Sequence, residues 1–77
     1  MTVLLFARIR DQLGTDRITV ADAATVGEVR LGLMKQYPQL AGIVEKSVFA
    51  VNNEFADDDV AIPHGAEVAL LPPVSGG

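Results

Sequence analysis

The sequence predicts a small α+β fold in which a mixed sheet of four or five strands is crossed by one main helix. Strand-like runs rich in β-branched and aromatic residues occur before and after a single segment with helical periodicity. The chain has 77 residues, enough for one hydrophobic core and too few for a second. Hydrophobic residues make up 49% of the chain and charged residues 21%, a composition that excludes intrinsic disorder.

The first two strands are predicted near the N-terminus. Residues Val3–Ile9 form a β-branched and aromatic run that is apolar on both alternating faces, as expected of a strand in the middle of a sheet. Residues Arg17–Val20 alternate polar with apolar side chains, and the segment Leu13–Asp16 has turn-forming residues. We therefore expect the two runs to form a β-hairpin.

The clearest local signal is a helix in the middle of the chain. Thr25 and Glu28 have the spacing of a capping box, in which the threonine hydroxyl accepts a hydrogen bond from the Glu28 N–H. Apolar residues then recur on one helical face, at Val26, Val29, Leu33 and Tyr37. Pro38 lacks an N–H and disfavours helical backbone at the preceding residue, so the helix should end at Tyr37.

Two further strands are predicted in the C-terminal half. Residues Val48–Val51 have the composition of a buried strand, and Asn52–Asn53 offer a turn because asparagine tolerates left-handed backbone. Residues Glu67–Leu71 form the last predicted strand. Pro72–Pro73 should end it, because proline has no N–H to donate to a neighbouring strand.

This order of elements is that of the β-grasp, or ubiquitin-like, fold. In that fold the first and last strands are parallel neighbours in the middle of the sheet, so by analogy the residues after the last strand leave the domain as an arm. We expect a β-grasp domain over residues 1–71 and an extended tail over residues 72–77.

Composition excludes several kinds of function. The chain has no cysteine, so it forms no disulfide, cysteine nucleophile or cysteine zinc site, which suits a reducing cytoplasm. Ten acidic residues against six basic ones give a net charge of −4, which repels nucleic acid. The longest apolar run, Val3–Ala7, is too short to span a membrane. We expect a soluble, cytoplasmic domain.

No set of residues has the spacing of a catalytic or metal centre. His64 is the single histidine and lies in a predicted turn. Asp57, Asp58 and Asp59 are adjacent, and the spaced oxygen ligands of a calcium loop do not follow them. We expect a solvated acidic loop, no bound metal or cofactor, and no self-contained active site.

The unusual feature is the C-terminal end of the chain. Gly76 and Gly77 place a carboxylate beside residues without a Cβ, so that the chain end can enter a narrow channel. Pro72 and Pro73 stiffen the base of this arm, which lowers the entropic cost of inserting it. Fully extended, the arm reaches about 20 Å from the fold. The pattern favours a C-terminal carboxylate that is chemically activated; the alternative is that the two glycines end the chain by chance or as a disordered tail.

Residues Glu67–Gly77, ending in the letters PPVSGG, resemble the C-terminal signature of a known family. The family is that of the small, sulfur-carrying subunits of molybdopterin synthase, which belong to the ubiquitin-like sulfur carriers. Residues Val3–Arg10, the helix start at Thr25–Val26 and residues Ala50–Asn53 are similar to it in the same order, so the resemblance covers essentially the whole chain. A departure is His64–Glu67, where family members usually carry the turn Asp-Gly-Asp-Glu.

The resemblance implies a carrier of sulfur in molybdenum cofactor biosynthesis. An adenylating partner enzyme, using ATP and magnesium, would activate the carboxylate of Gly77, and sulfur would then replace AMP to leave a thiocarboxylate. The sulfur would attack cyclic pyranopterin monophosphate inside the large synthase subunit, in a complex of two small and two large subunits. The tail residues Pro72, Pro73, Val74 and Ser75 would bind the partners, and Gly76 would leave the reactive end of the tail unhindered.

A docking surface is expected on the sheet face away from the helix. Along a strand, residues an even number of positions apart point to the same face, so Phe6 shares a face with Arg8 and Leu71 shares a face with Glu67. The charged residues mark the face away from the helix, so both apolar side chains should lie exposed there. Phe55 would extend this apolar patch. The resemblance implies that Phe6, Phe55 and Leu71 contact both the adenylating enzyme and the large subunit.

Several alternatives stay open on the sequence alone. The three apolar side chains could instead fill a second minicore beneath the acidic loop. Glu54, Asp57 and Asp58 are expected to steer docking onto a basic partner. The chain could also carry sulfur for thiamine or another thiolated product, modify proteins through an isopeptide bond from Gly77 to a lysine, or act as a plain binding module.

Overall fold

A five-stranded mixed sheet with helices on one face makes up the fold, and the computed structural model describes residues 1–73. The elements in chain order are β1 (Thr2–Leu5), α1 (Ala7–Leu13), β2 (Arg17–Thr19), α2 (Val26–Gln36), a 3₁₀ turn (Pro38–Leu40), α3 (Ala41–Lys46), β3 (Val48–Val51), β4 (Glu54–Ala56) and β5 (Val68–Leu71). The strands lie in the order β2–β1–β5–β3–β4. Strands β1 and β5 are parallel, and the other neighbouring pairs are antiparallel. The predicted β-grasp fold is confirmed.

The first predicted strand is wrong beyond Leu5, because a helix begins where the apolar run was expected to continue. Phe6 has extended backbone and precedes α1, and Ala7 takes a positive φ of 51°. Ile9 is buried in the core, and Leu13 packs against that core. Their spacing of four residues marks one helical face. The continuous apolar run concealed that spacing.

The connection between β1 and β2 also differs from the expected hairpin turn. The two strands pair antiparallel, as predicted, but α1 lies between them in the chain. Gly14 ends α1 with a φ of 70°, and its N–H donates to the Arg10 carbonyl oxygen at 2.9 Å. A left-handed residue after a helix is usually glycine because a Cβ would be strained there. The predicted turn residues therefore form a helix terminus.

Helix α2 confirms the predicted central helix. The Glu28 N–H donates to Thr25 Oγ1 at 3.3 Å, and the Thr25 hydroxyl donates to Glu28 Oε2 at 3.2 Å. Its buried side chains are Val26, Val29 and Leu33. The helix ends at Gln36, just before the segment that begins with Pro38. The capping spacing and the proline thus predict where the helix begins and ends.

Backbone groups of the acidic loop satisfy the first N–H groups of α2. The Val26 N–H donates to the Val60 carbonyl oxygen at 3.1 Å, and the Gly27 N–H donates to the Asp58 carbonyl oxygen at 2.8 Å. A Cβ at Gly27 would lie 3.1 Å from that Asp58 oxygen, so glycine permits this close approach. The loop after β4 is therefore fixed against the helix.

Helix α3 is the second helix, after α1, that the sequence did not predict. Leu40 and Val44 are buried in the core and lie four residues apart, as on one face of a helix. The helix has six residues and contains Gly42, which lowers helix propensity. So short a helix depends on packing for its stability and leaves a weak periodic signal.

Strand β3 and the asparagine turn are confirmed, and a further short strand, β4, follows them. Asn52 and Asn53 have positive φ values of 51° and 68°. The Asn52 N–H donates to the Glu67 carbonyl oxygen at 2.8 Å, and Asn52 Oδ1 accepts from the Glu67 N–H at 3.0 Å. The turn between β3 and β4 is thereby held against the residue that precedes β5.

The core lies between the helices and one face of the sheet. Its buried members are Val3, Leu5, Ile9, Val20, Val26, Val29, Leu33, Leu40, Val44, Phe49, Val51, Val68 and Leu70. Each strand residue in this set alternates with residues that point to the other side. Among the helices of residues 1–73, none has both the length and the apolar character that a membrane crossing requires.

Candidate functional site

The opposite face of the sheet, here called the open face, carries apolar side chains that no helix covers. Leu4 lies between two buried neighbours in β1, and its exposed fraction is intermediate. Ala69 and Leu71 alternate in the same way with Val68 and Leu70 in β5. Because side chains alternate along a strand, these residues point away from the core. They are absent from the core cluster and from the side chains packed against it.

Strand register places one row of open-face residues across the whole sheet. Leu4 pairs with Arg17 on one side and with Ala69 on the other, and Ala69 pairs in turn with Ala50. Ala50 pairs with Phe55 on the edge strand β4. Paired residues share a face, and neighbouring strands lie about 4.8 Å apart. Because alanine side chains are short, Ala69 and Ala50 form a shallow depression in this row between the larger side chains of Leu4 and Phe55.

A second apolar row lies beside the first. Leu71 pairs with Val48, whose exposed fraction is 44%. Leu5 and Leu70 are register partners in the parallel pair, so Phe6 and Leu71 are the next residues along the two strands. Phe6 has extended backbone after a buried residue, which directs its side chain to the open face. The two rows make a continuous apolar surface over the sheet.

The structure places the three predicted docking residues as follows. Phe6 is 40% exposed, Phe55 is 80% exposed, and Leu71 is half-buried. The parity argument that used Arg8 was wrong, because Arg8 lies on α1. Phe6 reaches the open face through its alternation with Leu5 instead. The exposure of Phe55 contradicts the alternative in which it fills a second minicore.

Sequence reasoning missed Val48 and Leu4 as members of the open face. Val48 begins a strand that was expected to be buried throughout, although the other three residues of β3 are indeed buried. Its parity with Ala50, opposite to Phe49, would have assigned it to the open face once the buried side was known. The missing information was which face of each strand the helices cover.

Charged groups flank the open face at its β4 edge. Glu54, Asp57 and Asp59 are exposed and form no ion pair among residues 1–73. Asp58 differs from them, because its Oδ1 accepts from Arg30 Nη2 at 2.9 Å and from Arg30 Nε at 3.0 Å. All three aspartates are exposed, as expected of a solvated loop, and Asp58 is in addition paired with Arg30.

Within the described part of the chain, no group of three or more His, Asp or Glu side chains is placed to hold a metal ion. His64 is exposed in a turn in which the Ala66 N–H donates to the Pro63 carbonyl oxygen at 3.0 Å. Gly65 in the same turn has a φ of 77°. The predicted turn at His64 is confirmed.

The tail begins at the centre of the sheet. β5 lies between β1 and β3 and ends at Leu71, after which Pro72 is half-buried and Pro73 is exposed. The four remaining predicted site residues, Val74, Ser75, Gly76 and Gly77, lie outside the described residues. Their roles, and the division into residues 1–71 and 72–77, stay predictions.

Comparisons with known proteins agree with the fold and with the family resemblance of the chain. A relative from Escherichia coli (strain K12), named molybdopterin synthase sulfur carrier subunit, is 40% identical over 78 residues, covering 97% of this chain and 96% of its own. A relative of the same name from Dictyostelium discoideum is 38% identical over 80 residues, covering 97% and 93%. The crystal structure of SAMP1 from Haloferax volcanii superposes with a TM-score of 0.74 at 32% identity and covers 100% of this chain and 98% of that one. The model of the ThiS family matches residues 3–77, and the chain belongs to the ThiS family.

Proposed function

We propose that this chain is the sulfur-carrying subunit of a molybdopterin synthase and serves in molybdenum cofactor biosynthesis. The name shared by relatives that are 38% and 40% identical over nearly the whole chain supports this function. The open face supports it physically, because an uncovered apolar surface on so small a domain is typical of a protein that docks on others. The thiamine-carrier and protein-modifier alternatives are not favoured by these relatives.

The reactive group is the C-terminal carboxylate of Gly77. Its oxygen attacks the α-phosphate of ATP on an adenylating partner enzyme, and pyrophosphate leaves. A sulfur donor then displaces AMP, so that a thiocarboxylate replaces the carboxylate. Activation converts an unreactive group into an acyl group with a good leaving group, which divides one difficult substitution into two easier ones. ATP and magnesium are bound by the partner, and this chain needs no cofactor of its own.

The thiocarboxylate sulfur is then the nucleophile towards cyclic pyranopterin monophosphate. Two such deliveries build the dithiolene that later binds molybdenum. Gly76 and Gly77 have no Cβ, so the end of the chain fits a narrow active-site channel. Pro72 and Pro73 restrict the backbone at the start of the tail, which lowers the entropy lost on insertion.

The folded body is the part that selects the partners. Phe6, Phe55 and Leu71 lie on the open face and dock on the large synthase subunit, in a complex of two small and two large subunits, and on the adenylating enzyme. The word subunit in the relatives' name supports the existence of a large-subunit partner. The complex works in the cytoplasm, where the ATP-dependent activation takes place.

The direct test is conversion of the terminus in vitro. The purified chain is incubated with the adenylating enzyme, ATP, magnesium and a sulfur donor, and intact-protein mass spectrometry should show one oxygen replaced by sulfur. A chain lacking Gly76 and Gly77, and a reaction without ATP, are the matched controls. An unmodified full-length chain, in a reaction that thiolates an established sulfur carrier, contradicts the proposal.

A second test separates this function from the alternatives. The thiolated chain, added to the large synthase subunit and the pterin precursor, should give molybdopterin. Thiolation without any product in this assay points to a carrier for thiamine or another product. Adducts larger than the chain on denaturing gels point to a protein modifier.

A further inference from the structure

Arg30 on α2 makes an unusual set of contacts for a side chain outside the open face. Only 15% of its side-chain surface is exposed. Its Nη1 donates to the carbonyl oxygens of Val44 at 2.8 Å, Glu45 at 3.0 Å and Ser47 at 2.8 Å. These carbonyls belong to the end of α3 and to the residue that precedes β3. Arg30 therefore binds carbonyl groups at the C-terminal end of the short helix, of which that of Val44 also accepts from the Ser47 N–H at 3.1 Å.

The same guanidinium binds the chain beyond β4. Both Nε and Nη2 donate to Asp58 Oδ1, at 3.0 Å and 2.9 Å. Its central carbon also lies 5.0 Å from the centre of the Phe49 ring, within the range of a cation–π interaction. Hydrogen bonds between charged partners are stronger than neutral ones, and partial burial reduces their screening by water.

The residues bound by this one side chain all lie between positions 44 and 58. That segment contains the hairpin of β3 and β4, which supplies Val48, Ala50 and Phe55 to the open face. Arg30 thus binds the residues that lead into the hairpin and, at Asp58, the segment that follows it. The rest of the open face comes from β1 and β5, to which Arg30 makes no hydrogen bond or ion pair among residues 1–73.

We infer that Arg30 is a positioning residue that fixes the β3–β4 hairpin, and with it Phe55 and Val48, in the arrangement that the partner proteins bind. The docking half of this inference rests on the proposed function. The geometry demands arginine, because a planar fork reaches carbonyl oxygens on one side and a carboxylate on the other. A lysine in its place keeps the charge but has a single ammonium, which cannot span both groups.

The first experiment measures the hairpin without any partner. Amide hydrogen exchange is compared between wild type, Arg30→Lys and the control Arg10→Lys, whose arginine is exposed and lies 3.8 Å from Asp11. We expect Arg30→Lys to speed exchange of the β4 amides at least about tenfold, with β1 and β5 changed much less, because local opening follows local contacts. Equal acceleration in all strands, or none in β4, overturns the inference.

The second experiment measures docking by a double-mutant cycle. Affinity for the large synthase subunit is measured for wild type, Arg30→Lys, Phe55→Ala and the double variant, at a temperature where circular dichroism shows all four folded. Arg30→Lys should weaken binding roughly tenfold, and much less once Phe55 is absent, because coupled residues are not additive. Additive effects overturn the docking half of the inference. If wild type itself does not bind the large subunit, the proposed function fails, while hydrogen exchange still decides the role of Arg30.

Discussion

The two faces of the sheet are built from the same five strands but differ in how far their apolar side chains are buried. On the inner face Val3, Phe49 and Val68 are fully buried against the helices. On the open face Val48 and Phe55 are 44% and 80% exposed, although both are as apolar as the residues of the core. A domain of this size has little stability to spare. The apolar side chains that the open face leaves outside the core fit the docking surface proposed above.

Because only the inner face is buried, we expect substitutions on the inner face to alter folding and substitutions on the open face to alter docking. The two phenylalanines Phe49 and Phe55 allow the sharpest test, since the same group can be removed from each side.

The largest effect is expected for Phe49→Ala. The ring is fully buried, and truncating a buried phenylalanine typically costs about 3–5 kcal/mol, a large part of the stability of a small domain. Equilibrium unfolding in urea measures the loss. Phe55→Ala is the matched control and should change the unfolding free energy by less than about 0.5 kcal/mol, because the ring is 80% exposed. Equal losses for the two variants would break the distinction between the faces.

Phe55→Ala is expected to weaken docking strongly although it hardly changes the free energy of unfolding. An exposed aromatic ring beside a shallow apolar depression is a typical anchor of an interface. Its removal should cost about 2 kcal/mol of the free energy of binding to the large subunit, close to thirtyfold in affinity. Isothermal titration calorimetry or surface plasmon resonance measures it. Unchanged affinity would remove Phe55 from the docking surface and leave Phe6 and Leu71 to be tested in its place.

The elements that the sequence predicts correctly are those whose signals lie within a few residues of one another. The capping box, the helix face and Pro38 act within a few residues, and the two ends of α2 follow from them. The helical spacing of Ile9 and Leu13 is equally local, but it coincides with an apolar run that also fits a strand. The position of Val48 depends on which face the helices cover, a fact of tertiary packing.

The contact between Arg30 and Asp58 was beyond prediction for a related reason. The two residues are 28 positions apart, and neither stands in a pattern that marks a partner. Arg30 lies four residues after Val26 and three before Leu33, on the flank of the apolar face, where its charge indicates no particular partner. Asp58 is one of three adjacent aspartates. The order of the main strands and of α2 can thus be inferred from the sequence, whereas the contacts that Arg30 makes beside the β3–β4 hairpin require the folded structure.

A smaller folding effect is expected for Thr25→Ala, which loosens the helix that covers the inner face. The hydroxyl accepts from the Glu28 N–H at 3.3 Å, and loss of such a cap costs about 1 kcal/mol. The thermal midpoint should fall by several degrees in calorimetry, with affinity for the large subunit unchanged. Thr25→Ser, which keeps the hydroxyl, is the control. A change of affinity without a change of stability would show that the helix side also takes part in docking.

The smallest effect is expected at the charged rim of the open face, from Asp57→Asn. The side chain is exposed and has no ion pair among residues 1–73, so removing its charge should leave folding unchanged. Steering by rim charges acts on the encounter, and we expect the association rate with a basic partner to fall by about twofold at low salt. Stopped-flow association at two ionic strengths measures it, and the difference should vanish at high salt because mobile ions screen exposed charges.

Asp22→Asn, which removes a carboxylate that pairs with the N-terminal ammonium at 3.1 Å, is the control. A slower dissociation rate for Asp57→Asn, with association unchanged, would mean that the partner presents a negative or apolar surface to this edge of the sheet.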